Sequence, residues 1–194
     1  MINQAKRRDK KVFITDIAIE KVPYIKYKGF SEEQNHIMQE LARDVLVISK
    51  ESNDSNEVAI TCDLGSEDPL SIFGVSFGEE HEVDIMVDTL SNHLIVSEES
   101  IAVVILHNHP STQTFSLQDI HFFITHTTIE VMVVVSNQGK VHYIMREQDY
   151  EYGKARDLFY ECIEGIHKNS EPEDYYFSAL SFLAKSSECG IYYR

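Results

Sequence analysis

A chain of 194 residues with 43% hydrophobic content is long enough to bury a real core as one domain, with or without an appendage. Its formal net charge of −15, from 32 carboxylates against 17 Lys and Arg, repels phosphate backbones and makes nucleic acid a poor principal partner. No apolar stretch approaches the roughly 20 residues of a membrane helix, and Cys62, Cys162 and Cys189 are odd in number and form no C-x-x-C pair, which points to a reducing, cytoplasmic setting.

The basic run Lys6-Arg7-Arg8-Asp9-Lys10-Lys11 reads as a solvated arm, and the charges that follow it exclude a signal-peptide core. Residues 12–20 alternate loosely and predict a strand, with a second at 22–28 before Gly29. Ser31-Glu32-Glu33-Gln34 is a capping box, and Ile37, Leu41, Val45 and Ile48 mark a helix reaching about Lys50. The polar cluster 51–56 is a loop. Glu57 to Leu64 predicts a strand with Val58, Ile60, Cys62 and Leu64 on one face. Further strands are expected at 72–77 and 82–87 around Gly78, then a short helix within 88–99.

The run 101–107 is apolar nearly throughout, as a central strand covered on both sides would be. Leu117, Ile120, Phe123 and Ile124 give the next helix its buried stripe. Val131–Val135 and Val141–Met145 flank Asn137-Gln138-Gly139-Lys140, a hairpin signal. Two helices, about 151–168 and 173–187, close the chain, and no internal repeat is visible. Helices alternating with apolar strands predict an α/β (α+β) sandwich.

The most informative residues are His107-Asn108-His109-Pro110, followed by Ser116 and Asp119. Alternate side chains of a strand share a face, so His107 and His109 point the same way, roughly 6.5 Å apart at Cα. That spacing lets two imidazoles converge on one ion at about 2.0–2.1 Å. Asn108 points to the other face, and Pro110 forces the chain out of the strand. Asp119, at the start of the next helix, supplies a third ligand and leaves a position for water. The plainer reading is that Ser116 and Asp119 only cap a helix. The two roles are compatible, because a helix start pinned beside the strand tip also aims Asp119 at the ion.

This pattern resembles the JAMM (MPN+/JAB) metalloprotease signature of Glu, His-x-His, Ser and Asp, and the Asn between its histidines and the Ser after Pro110 resemble the RadC-like branch. Six residues separate His109 from Ser116, one fewer than is usual there, and Thr112 stands where RadC relatives carry Gly. The resemblance covers residues 31–146. It implies a cytidine-deaminase-like sheet flanked by helices, a Zn2+ ion on His107, His109 and Asp119, and cleavage of a peptide or isopeptide bond. The chain then divides into an arm with strands at 1–30, a JAB/MPN-like hydrolase domain at 31–148, and a C-terminal helical extension at 149–194.

Such a hydrolase needs a carboxylate to move the proton of the metal-bound water. Glu57 fits best, opening its strand on the face opposite Val58, Ile60 and Cys62; Glu79, Glu80, Glu98 and Glu99 are alternatives, or Glu57 merely ends a strand. Ser116 would donate to the oxyanion. The other histidines read as solvated or structural, and Tyr175, Tyr176, Tyr192 and Tyr193 as half-buried or as a rim for a partner. The expected partner is a peptide or protein substrate, ubiquitin-like conjugates included; the oligomeric state is open. Zinc deaminases require H-x-E with P-C-x-x-C, absent here, and HNH nucleases disperse their three residues. Two alternatives remain: a RadC-like role in DNA metabolism or mobile elements, and a non-catalytic MPN-like interaction scaffold.

Overall fold

The computed structural model of the chain describes residues 11–66 and 68–194; the basic run at 6–10 lies outside them. Among the described residues six strands form one open mixed sheet: β1 (Val58–Asp63), β2 (Phe73–Phe77), β3 (Val103–His109), β4 (Ile129–Ser136), β5 (Val141–Arg146) and β6 (Ile191–Tyr193). Their order across the sheet is β2-β1-β3-β4-β5-β6. β3 runs antiparallel to β1 and parallel to β4, and every residue of β3 is buried, as a strand covered on both faces requires. The hairpin between β4 and β5 turns on Gly139, whose φ of +81° suits glycine.

Helices α1 (Asp16–Glu20), α2 (Glu32–Ser52), α3 (Thr89–Val96), α4 (Leu117–Thr125), α5 (Tyr152–Ile163) and α6 (Pro172–Lys185) complete the fold. One face of the sheet, with Ile60, Leu106, Val133 and Tyr143, packs on Met38, Leu41 and Val45 of α2. The other, with Ile105, Met132 and Ile144, packs on Phe123 of α4, Phe159 of α5 and Phe182 of α6. Phe123 and Phe182 are wholly buried, and each such side chain contributes roughly 1.5–3 kcal/mol by leaving water. No helix among the described residues is long and apolar enough to cross a membrane.

The capping box at Ser31 and Gln34, the hairpin and the short helix within 88–99 form as expected. Four segments differ. Residues 12–20 contain helix α1, because Thr15 accepts the Ala18 amide and nucleates a turn. Residues 22–28 form no strand; the Val22 carbonyl accepts from Gln39 and the Tyr27 amide donates to Asn35, so α2 side chains replace a ladder. Within 82–87 there is a 3-10 turn, Ile85–Val87, started by Asp84 accepting the Met86 amide. The C-terminal segment is not wholly helical: after Gly190, at φ +74°, β6 adds to the sheet edge beside β5.

Candidate metal centre

Strand parity and strand register build this site. In β3 the period of two puts His107 and His109 on the face shared with Val103 and Ile105, toward α4. The chain leaves the strand at Pro110 and re-enters regular structure at Ser116, the N-cap of α4. The Ser116 hydroxyl accepts the Asp119 amide at 3.1 Å, while Asp119 Oδ2 accepts the Ser116 amide at 2.7 Å, a reciprocal box. That box turns the Asp119 carboxylate onto both imidazoles.

His107 Nε2 lies 3.1 Å from His109 Nε2 and 3.2 Å from Asp119 Oδ1, and His109 Nε2 lies 3.4 Å from Asp119 Oδ2. Ligands at about 2.0–2.1 Å from a tetrahedral ion stand about 3.3–3.4 Å from one another. The two imidazole nitrogens and the two Asp119 oxygens thus approach one another at about these separations, and the three side chains can hold a metal ion. Among the described residues no other trio of His, Cys, Asp or Glu is so placed. The backbone of Thr114 hydrogen-bonds His109, the orienting contact that ligand histidines commonly make. Nδ1 of His107 is buried without a partner.

Burial disfavours the imidazolium of His109, but Asp119 and Glu57 outweigh it and raise its pKa to about 9. Burial likewise works against the Asp119 carboxylate, yet His107 and His109 hold it well below the usual range. Glu57 is pushed up to about 8, chiefly by burial and then by Asp119 and Glu82, against the pull of His109. Without an ion the cluster thus carries protons that a cation would displace.

Glu57 reaches this cluster through register. Ala59 pairs with His107 in the antiparallel β1–β3 ladder, so Glu57, two residues back, falls opposite His109 on the same face. It is 6% exposed, and its Oε1 stands 4.0 Å from His109 Nε2. Glu57, His109, Ser116 and Asp119 line one cavity of about 800 Å³, whose far wall is the 78–85 loop. Glu79 and Glu80 lie on that wall. Glu98 and Glu99 precede the opposite end of β3, roughly 20 Å of strand away. The Ser116 hydroxyl donates to Asp119 Oδ2 at 2.7 Å, so it must rotate to serve any other acceptor.

A buried network behind the centre carries no signal at the level of motif spacing. Asn108, wholly buried between the two histidines, accepts the Val58 amide at 2.8 Å. Its amide group donates to Asn137 Oδ1 at 2.8 Å and to Ser49 Oγ and the Asn56 carbonyl at 3.1 Å each. Asn137 donates in turn to the carbonyls of Val12 and Ser55. The tip of β3, the start of β1, the end of α2 and the β4–β5 turn are tied together here, which fixes the strand end that bears Glu57. Of the remaining histidines, His81 is exposed on the lining of the same cavity, His36, His93, His121 and His167 are exposed, and His126 and His142 are half-buried.

Comparison with known proteins identifies no relative: no family model matches the chain, and neither a curated protein nor a solved structure does.

Proposed function

We propose that this chain is a zinc-dependent hydrolase of JAMM type that cleaves a peptide or isopeptide bond with a metal-activated water. The observation that carries the reading is the convergence of His107 Nε2, His109 Nε2 and the two Asp119 carboxylate oxygens at contacts of 3.1–3.4 Å, with the Glu57 carboxylate 4.0 Å from His109 on the same cavity wall. Two imidazoles and one carboxylate suit zinc and leave a coordination position for water. The ion, when bound, supplies a water of lowered pKa and polarises the carbonyl under attack. Glu57 accepts the proton of that water and hands it to the leaving amine. Ser116, on turning its hydroxyl from Asp119, donates to the oxyanion.

A carbonyl substrate suits this cavity better than a phosphodiester, because its wall carries Glu79, Glu80, Glu82 and Asp84 and, among the described residues, no Lys or Arg. The free Cys62, Cys162 and Cys189 support a reducing setting for this reading. The test is elemental analysis joined to hydrolysis of peptides and ubiquitin-like conjugates, with and without chelator. The zinc protein should hydrolyse one of them in a chelator-sensitive way. Glu57→Gln should keep about one zinc per chain and lose at least about 100-fold in rate, whereas Asp119→Asn should lose the metal. Full activity in Glu57→Gln removes it as the base. Iron in place of zinc, or no metal after loading, removes the reading itself.

A further inference from the structure

A second cavity, of about 410 Å³, adjoins the one at the metal centre and shares His81, Gln113 and Ser116 with it. Its apolar lining is Phe115, Leu117, Tyr175 and Tyr176, the tyrosines coming from α6. Ser116 marks the boundary, hydrogen-bonded to Asp119 at 2.7 Å, so the pocket opens one residue from a candidate ligand. Phe115, 2% exposed, stands edge-on to His107 with ring centroids 6.5 Å apart. Tyr175 is held at the rim by its hydroxyl, which donates to the His167 carbonyl at 2.9 Å. Half-exposed tyrosines are ordinary on any surface. Here they line, with a buried phenylalanine, a pocket that runs into the candidate reaction site, as a ligand subsite does.

Charge decides what the cleft accepts. Across from this pocket the larger cavity presents Glu79, Glu80, Glu82 and Asp84, and among the described residues neither lining contains Lys or Arg. A phosphate- or carboxylate-bearing ligand meets repulsion along that wall, whereas a cationic one meets attraction. The two cavities, of about 800 and 410 Å³, hold more than a single side chain fills, which suits a stretch of polypeptide.

We propose that the Phe115–Tyr175–Tyr176 pocket is a substrate subsite for one large apolar side chain, within a basic polypeptide segment whose cations lie along the 79–84 loop. The inference rests on the hydrolase reading and gives it a substrate class.

Binding is measured on the zinc-loaded Glu57→Gln protein by fluorescence anisotropy. The probes are three labelled peptides of one length: one with Phe and two Lys, one with Phe replaced by Ala, and one with Lys replaced by Glu. The first should bind about tenfold more tightly than either control, and its advantage over the Glu peptide should shrink as salt rises. Tyr176→Ala should erase the preference for Phe and leave that for Lys. Glu79→Lys with Glu82→Lys should erase the preference for Lys and leave that for Phe. Equal binding of the three peptides, or variants that weaken all three alike, overturns the proposal. Cleavage by the wild-type zinc protein is scored separately. Turnover without these preferences sinks the subsite and spares the hydrolase; the preferences without turnover keep the binding cleft and sink the hydrolase.

Discussion

Asn108→Ala tests whether the network behind the metal centre holds the fold together. Asn108 is wholly buried, and its removal leaves the Val58 amide and Asn137 Oδ1 without the partners they have at 2.8 Å. The Asn56 carbonyl keeps the Ser49 hydroxyl at 2.6 Å and is not orphaned. Two stranded polar groups at about 1–3 kcal/mol each, with a small cavity beside them, amount to about 4 kcal/mol. For a domain of this length that lowers the melting temperature by about 12 °C. Urea denaturation of the metal-free protein with an unchanged m-value is the assay. Zinc content should stay at about one per chain, since the ligands lie on the opposite face of β3. A loss under about 1 kcal/mol would mean that the network is not what secures the start of β1. Loss of zinc together with retained stability would refute the division between the two faces.

The protonation pattern yields a pH prediction. Asp119 is depressed, so its contribution is present above the ordinary carboxylate range and fades in acid. His109 is raised from 6.5 to about 9, so its contribution is complete below 6.5 and disappears as pH rises through 9. Glu57 is raised from 4.5 to about 8, so the metal-free fold also weakens as pH climbs through that interval. Metal-free stability should therefore fall between pH 4.5 and 9, most steeply from 6.5 to 8 where both groups act, and zinc should release one to two protons on binding at pH 7, read by calorimetry in buffers of different ionisation enthalpy. Binding with no proton release contradicts this assignment. Ser116→Ala removes an N-cap and should cost about 1 kcal/mol of stability. If the hydroxyl also serves the oxyanion, the rate falls a further 10²–10³-fold, roughly, at unchanged zinc content; a stability loss alone confines Ser116 to capping.

Much of the centre is legible in the residues because both of its rules are local. The period of two in a strand places His107 with His109, and the Ser116–Asp119 box is a four-residue pattern. Glu57 is less legible, since its approach to His109 depends on the β1–β3 register, which no short segment encodes. The N-terminal strands expected at 12–20 and 22–28 fail for a related reason. Apolar alternation cannot distinguish a strand from a covering segment whose hydrogen bonds go to Thr15, Asn35 and Gln39. β6 is three residues long, too short to rise above the helices before it. The acidic wall of the cleft is tertiary throughout: the Glu57 amide donates to the Glu79 carbonyl and the Gly78 amide to the Glu57 carbonyl, folding the 78–84 loop over the site.

X-ray absorption at the zinc edge of the loaded protein tests the central claim most directly. The account predicts four ligands at about 2.0–2.1 Å, two of them imidazole and none sulfur, with the imidazole scattering falling in His107→Ala and in His109→Ala. A sulfur shell at about 2.3 Å, or a spectrum unchanged in both variants, would place the ion elsewhere and contradict it.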